Sequence, residues 1–168
     1  MERRLLSPLR EQADVVVDTS GMTPWELRRR LEETLMAEQL SDQLFVSLES
    51  FGYKRGLPDE ADIVLDARFL PNPHWVAELR AFTGLDARVK DYVLGRAEAG
   101  MFLDQVVAMI RLLAPGFVSE QKRRLVVAIG CTGGRHRSVA LVEDLARRLR
   151  GEPAFVISVS HRDIEREG

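Results

Sequence analysis

Two near-continuous apolar runs, "RLVVAIG" (124–130) and "AFVISV" (154–159), stand one helix-length apart and constrain this chain more than any other feature. A strand with one wet face alternates apolar and polar residues, whereas a strand buried on both faces does not. Joining two such runs through a helical period gives a βαβ unit, which requires a parallel sheet. The intervening helix is predicted from about 137 to 150, burying Val142, Leu145 and Leu149.

Three further strands are predicted at 13–18 ("ADVVVD"), 43–51 ("QLFVSLESF") and 61–68 ("ADIVLDAR"). "TPWE" (23–26) has the pattern of a capping box. Thr23 is the cap, Pro24 sits at the first helical position, and Glu26 lies three residues on. Leu27, Leu31 and Leu35 continue that helix to about residue 39. Helices are also predicted over 86–95 and 97–113. The second is marked by Phe102, Val106, Met109 and Leu113, with Pro115-Gly116 expected to end it. The fold class is α/β, a mostly parallel sheet of about four to five strands with helices on both faces.

Composition narrows the setting. The hydrophobic share of 45% and charged share of 30% suit a chain that builds a core. No apolar run reaches the ~18–20 residues of a membrane span, and "MERRLLSPLREQ" lacks the apolar segment of a signal peptide. The single cysteine, Cys131, excludes an internal disulfide and suits a reducing compartment, so the expected location is cytoplasmic, with no membrane partner. His74, His136 and His161 are too dispersed around Cys131 for a zinc site, and neither metal nor cofactor is expected. The net charge of −2 conceals an asymmetry: residues 116–168 hold 10 Lys+Arg against 7 Asp+Glu. A basic stretch of this kind attracts phosphate, nucleic acid or an acidic partner, or is simply a solvated helix face.

In an open parallel sheet, ligands bind beyond the carboxyl ends of the strands. Lys54, Arg55, Arg68, Asn72, His74, His161 and Arg162 all fall at or just past predicted strand ends, as does the loop "CTGGRHRS" (131–138). In that loop Gly133 and Gly134 permit positive φ and bring backbone N–H groups near a ligand. The following helix aims its free N–H groups at the same point. Thr132 and Ser138 offer hydroxyls, Arg135 and His136 add charge or donors, and Arg137 can grip two phosphate oxygens. The loop therefore reads as a phosphate cradle; its plain alternative is a glycine-containing turn with a capping serine. No Walker A string occurs, and "HRD" (161–163) lacks the other kinase motifs. Cys131, Arg137 and Ser138 do have Cys-x5-Arg-Ser phosphatase spacing. In that alternative Cys131 is the nucleophile, although Gly130 stands where a histidine usually precedes it.

"SFGYKRGLPDEADIVLDARFLPNPHW", "GLD" (84–86) and "AIGCTGGRHRSV" together resemble the C-terminal domain of the RapZ (YvcJ-like) nucleotide-binding proteins, over roughly 43–164. "ERRLLSPLREQADVVVDTS" resembles the tail of that family's N-terminal P-loop NTPase domain. The resemblance divides the chain into 1–40, that tail, and 41–168, the C-terminal domain. The Walker A loop is absent from this stretch, which is accordingly expected not to bind ATP or GTP in a P-loop. The resemblance implies regulation rather than catalysis. It implies sensing of a phosphorylated amino sugar such as glucosamine 6-phosphate through His74, Thr132, Gly133 and Arg137. It also implies a small regulatory RNA with an endoribonuclease, or another regulatory protein, as partner, and a homo-oligomer. RNA contacts are expected from the basic stretches Lys122, Arg123, Arg124 and Arg147, Arg148, Arg150.

Overall fold

The computed structural model describes residues 16–27, 30–31 and 43–166, which fall into two compact units, 1–42 and 43–168. In the first unit the capping box forms as expected. The Thr23 N–H donates to the Glu26 carboxylate at 2.7 Å, and the Glu26 N–H donates back to Thr23 Oγ1 at 3.2 Å. Val16–Asp18 carry no regular structure; the rest of the expected strand at 13–18 and the end of the expected helix lie outside the described residues.

The second unit is built from β1 (Leu44–Gly52), β2 (Ile63–Asp66), α1 (Ala87–Leu94), α2 (Ala97–Ser119), β3 (Arg124–Cys131), α3 (Arg137–Leu149) and β4 (Phe155–His161). The four strands are all parallel, in the order β2-β3-β1-β4. The α/β class and the parallel sheet are those expected. Gly52 pairs with Cys131, Asp66 with Gly130, and Ser50 with His161. That register aligns the carboxyl ends, so the segments after all four strands emerge along one edge.

The layering differs from expectation. Within this unit the helices gather on one face, where Leu44, Val46, Leu48, Leu125, Val127 and Ile129 pack against residues of α1, α2 and α3 in one core. The handedness of crossovers explains this. The connections β2→β3 and β3→β4 move the same way across the sheet, so right-handed crossovers put their helices on the same side. The connection β1→β2 moves the opposite way and carries only the short 3-10 turn Tyr53–Arg55.

Helix α2 also departs from its reading. It runs through Pro115 to Ser119. Proline removes one donor but its φ suits a helix. The turn beyond is fixed by Ser119 Oγ donating to the Gly116 carbonyl at 2.8 Å and by Phe117 and Val118 against the core. Its buried stripe is centred on Ala99, Leu103, Val106, Val107, Ile110 and Ala114, leaving Phe102, Met109 and Leu113 on the flank. By length and mean hydropathy (1.6) alone, this one helix among the described residues is apolar enough to cross a membrane, although Asp104 and Arg111 interrupt its apolar run. Its Leu103 stripe is part of the core described above.

Candidate functional site

The carboxyl edge of the sheet holds a cavity of about 640 Å³, lined by Lys54 after β1, Asn72, His74, Trp75, Arg80 and Ala81 after β2, Cys131, Thr132, Gly133, Arg135, His136 and Arg137 at the β3–α3 junction, and Arg166 after β4. Five of these side chains are Lys or Arg, two are His, and none is a carboxylate.

Close backbone packing builds this edge. A Cβ on Gly134 (φ +75°) would lie 2.6 Å from Gly52 N and 2.9 Å from Asp163 Cβ; one on Gly52 would lie 2.6 Å from the Gly133 carbonyl carbon. Only glycine tolerates both the φ and the approach. Gly130, which breaks the phosphatase pattern, lies under the rings of Phe51 and Tyr53, where any Cβ would collide with both. Asp163, fully buried, ties the β4 extension to the same place by accepting from Gly52 N–H at 2.9 Å and from Arg162 Nε at 3.0 Å.

Arg137 is the first residue of α3 and only 4% exposed. Its guanidinium donates to the carbonyls of Leu70 (2.9 Å) and Arg68 (3.3 Å) and to Thr132 Oγ1 (3.2 Å), while buried Nε has no acceptor. The fork expected to hold phosphate is largely engaged with the protein. Arg137 instead anchors the 68–70 segment to the loop and leaves a buried positive charge with only neutral partners. Arg135 likewise donates to the carbonyls of Ala81 (3.1 Å) and Ile164 (3.4 Å), and Arg80 Nε to that of His74 (2.9 Å). Among the described residues no carboxylate pairs with Lys54, Arg80, Arg135 or Arg137. The backbone N–H groups of Gly133, Arg135 and His136 also have no acceptor there.

His136 is nearly buried, with Nε2 3.3 Å from the Arg80 carbonyl. Burial, aided by the charge of Arg135, pushes its pKa below the ordinary imidazole value and keeps it neutral near pH 7. Its ring lies 6.3 Å from that of exposed His74, the next ring outward. Cys131 Sγ meets Ser138 Oγ at 3.2 Å and accepts from Gly134 N–H at 3.3 Å. Burial alone would raise its thiol pKa; the bonds from Ser138 and Gly134 and the Arg137 charge more than offset this and lower it.

Of the expected site residues, His74, Thr132, Gly133, Arg135, His136 and Arg137 line the cavity, while Gly134 and Ser138 support it from beneath. The Arg68 side chain does not line it. It chelates Asp66, holding that carboxyl below its ordinary pKa chiefly by hydrogen bonding, and lies 4.0 Å over the Tyr53 ring. Only its carbonyl reaches Arg137. Trp75, Arg80 and Arg166 were not singled out by sequence; the "NPHW" string pointed toward the first, and nothing local marks the other two.

The expected RNA-contacting stretches lie elsewhere. Lys122, Arg123 and Arg124 lead into β3, and α3 runs back so that Arg147, Arg148 and Arg150 reach the same amino edge of the sheet. At ~3.3 Å per residue, the strand separates them from the 135–137 cluster by about 25 Å. Lys122 pairs with Asp62 at 2.5 Å, Arg147 and Arg148 share Asp144 at 2.6 and 2.7 Å, and Arg148 also meets Asp104. Arg124 donates to Ser47 Oγ at 3.4 Å, leaving Arg123 and Arg150 exposed.

Fold and site together define an open parallel α/β unit with a cationic cavity at its carboxyl edge. The family follows from comparison. Residues 44–165 match the family described as RapZ C-terminal domain, residues 1–39 match the RapZ-like N-terminal domain, and the chain belongs to the RapZ-like family. Nucleotide-binding protein CE1710 of Corynebacterium efficiens is 52% identical over 165 residues, covering 98% of this chain and 52% of that protein. Proteins named nucleotide-binding protein from Saccharopolyspora erythraea and Mycolicibacterium gilvum are each 50% identical over 166 residues, covering 99% of this chain and 56% and 50% of theirs. The chain thus spans about half the length of the curated relatives it matches.

Proposed function

We propose that residues 44–165 form a regulatory sensor for a phosphorylated amino sugar, glucosamine 6-phosphate or a close analogue. One observation carries this reading: a cavity whose Lys54, Arg80, Arg135 and Arg137 have no carboxylate partner among the described residues. Lys122, Arg147 and Arg148 elsewhere in the unit already hold carboxylate partners, whereas these four cations share one cavity without any, so this cluster favours an anion brought from outside. A phosphate would engage Lys54, Thr132 and the free loop amides, with Arg137 adding charge from beneath. The relatives' name brings a nucleotide to this chain as a competing phosphate ligand, and the family resemblance brings a regulatory RNA or protein partner.

Calorimetric titration tests the reading. Glucosamine 6-phosphate should bind, with affinity falling as salt screens the cations. Lys54→Ala should weaken it about tenfold, the loss of one charge-assisted contact, and Arg150→Ala should leave it unchanged. Absence of heat with glucosamine 6-phosphate sinks the reading. ATP, GTP and a short RNA in parallel titrations separate the competing ligands.

The lowered Cys131 thiol, placed on the cavity wall, favours a second reading as a Cys-x5-Arg phosphatase. No carboxylate in the cavity lining stands ready to protonate a leaving group, which weighs against it. Turnover of an aryl phosphate, lost in Cys131→Ser, would establish this reading; no turnover ends it.

A further inference from the structure

Trp75 forms part of the cavity wall with 76% of its surface exposed. Isolated exposed apolar side chains are ordinary on a protein surface; what separates Trp75 is the way its backbone is fixed. Buried Pro73 opens the 3-10 turn Pro73–Trp75, and the Asn72 side chain accepts from His74 N–H at 3.3 Å. Trp75 N–H donates to the Asn72 carbonyl at 3.1 Å, and Arg80 Nε locks the His74 carbonyl at 2.9 Å. The turn is therefore held from several sides. Among the described residues the indole's one ring contact is a T-shaped one with His74, the centroids 5.4 Å apart. Most of the indole surface is left open.

The rings form a row leading out from the cation cluster: His136 beside Arg137, then His74, then Trp75. An inorganic phosphate held at the loop would leave the outer part of a cavity this size, and Trp75 with it, unoccupied. Trp75 and the loop line one cavity, so a larger anion that fills it from the loop outward meets the indole. Indole has two side-chain torsions, so ordering it on a ligand costs little entropy, and its electron-rich face suits weakly positive C–H groups as well as apolar burial.

We infer that Trp75 is a stacking platform that makes the cavity select a phosphate carried on a closed sugar ring over inorganic phosphate and over open-chain sugar phosphates. This rests on the cavity being the phosphate site proposed above. The cations supply attraction common to any phosphate, and Trp75 supplies discrimination through the apolar face of the ring.

The test is calorimetry on the full chain with glucosamine 6-phosphate, sorbitol 6-phosphate and inorganic phosphate, for wild type, Trp75→Ala and Trp75→Phe. Wild type should prefer the ring-bearing ligand. Trp75→Ala should weaken that ligand about tenfold, erase its preference over sorbitol 6-phosphate and leave inorganic phosphate unchanged. Trp75→Phe should keep most of the preference. In a Trp25→Phe background, Trp75 emission should respond to glucosamine 6-phosphate and not to inorganic phosphate. Equal affinity of wild type for all three ligands, or a Trp75→Ala variant that keeps the wild-type preference or weakens all three alike, overturns the platform while the phosphate site stands. Failure of wild type to bind any of the three overturns the phosphate site and the platform together.

Discussion

At the amino edge of the sheet, Arg147 and Arg148 share Asp144, Arg148 also reaches Asp104, and Lys122 holds Asp62. At the carboxyl edge, Lys54, Arg80, Arg135 and Arg137 surround a cavity whose lining contains no carboxylate. Both edges are rich in cations. What separates them is that Lys122, Arg147 and Arg148 already hold carboxylates, with Arg123 and Arg150 left exposed, whereas the four cavity cations hold none and only Arg166 in that lining meets one, Asp163. A clustered set without carboxylates is the better guide to an anion site than the density of arginines along the chain. Glycine packing sharpens the contrast: the carboxyl edge brings the backbones at Gly52 and Gly134 so close that neither accepts a side chain.

The largest effect that would break this comparison is loss of the loop itself. Gly134→Ala should cost about 3 kcal/mol, from a strained positive φ and backbone overlap, and should abolish phosphate binding; denaturant unfolding and titration check both. An alanine at 134 that leaves stability intact would mean that the loop rearranges cheaply.

Next in size is the paired edge. Replacing Arg147 and Arg148 together by alanine leaves Asp144, nearly buried, without its cations. Stability should fall by about 1 kcal/mol, a modest figure because Arg147 is mostly exposed, while affinity for glucosamine 6-phosphate should not change. Asp144 is subject to burial, which raises its pKa, and to the hydrogen bonds of both arginines, which outweigh burial and lower it.

The smallest effect concerns pH. His136 has its pKa depressed in the folded state, chiefly by burial, so the unfolded chain takes up its proton first. The stability it contributes is complete above its ordinary value of 6.5 and is lost as pH falls below that, through the folded pKa. His136→Gln should flatten that slope in unfolding curves between neutral and mildly acid pH. An unchanged slope would show that His136 is not the group titrating.

Local sequence made the β3–α3 junction legible, because its apolar run, glycines and helix period are all contiguous. The same holds for the capping box at Thr23, whose two bonds span three residues. The distant partners of the basic residues were not legible, since Lys122–Asp62 and Arg148–Asp104 join residues 60 and 44 positions apart. The single-faced placement of the helices depends on strand order, which one sequence does not reveal. Pro115 misled because tertiary packing of Phe117 and Val118 outweighs a local helix-breaking signal. Arg68 misled because its nearest acid, Asp66, is only two residues away and claims the guanidinium.

Amide chemical-shift mapping during titration with glucosamine 6-phosphate compares the two edges in one experiment. Perturbations are expected at Lys54, His74, Gly133, Gly134 and Arg135, with the amides of 122–124 and 147–150 still. Shifts centred on those amino-edge residues, or none anywhere, would contradict a carboxyl-edge site.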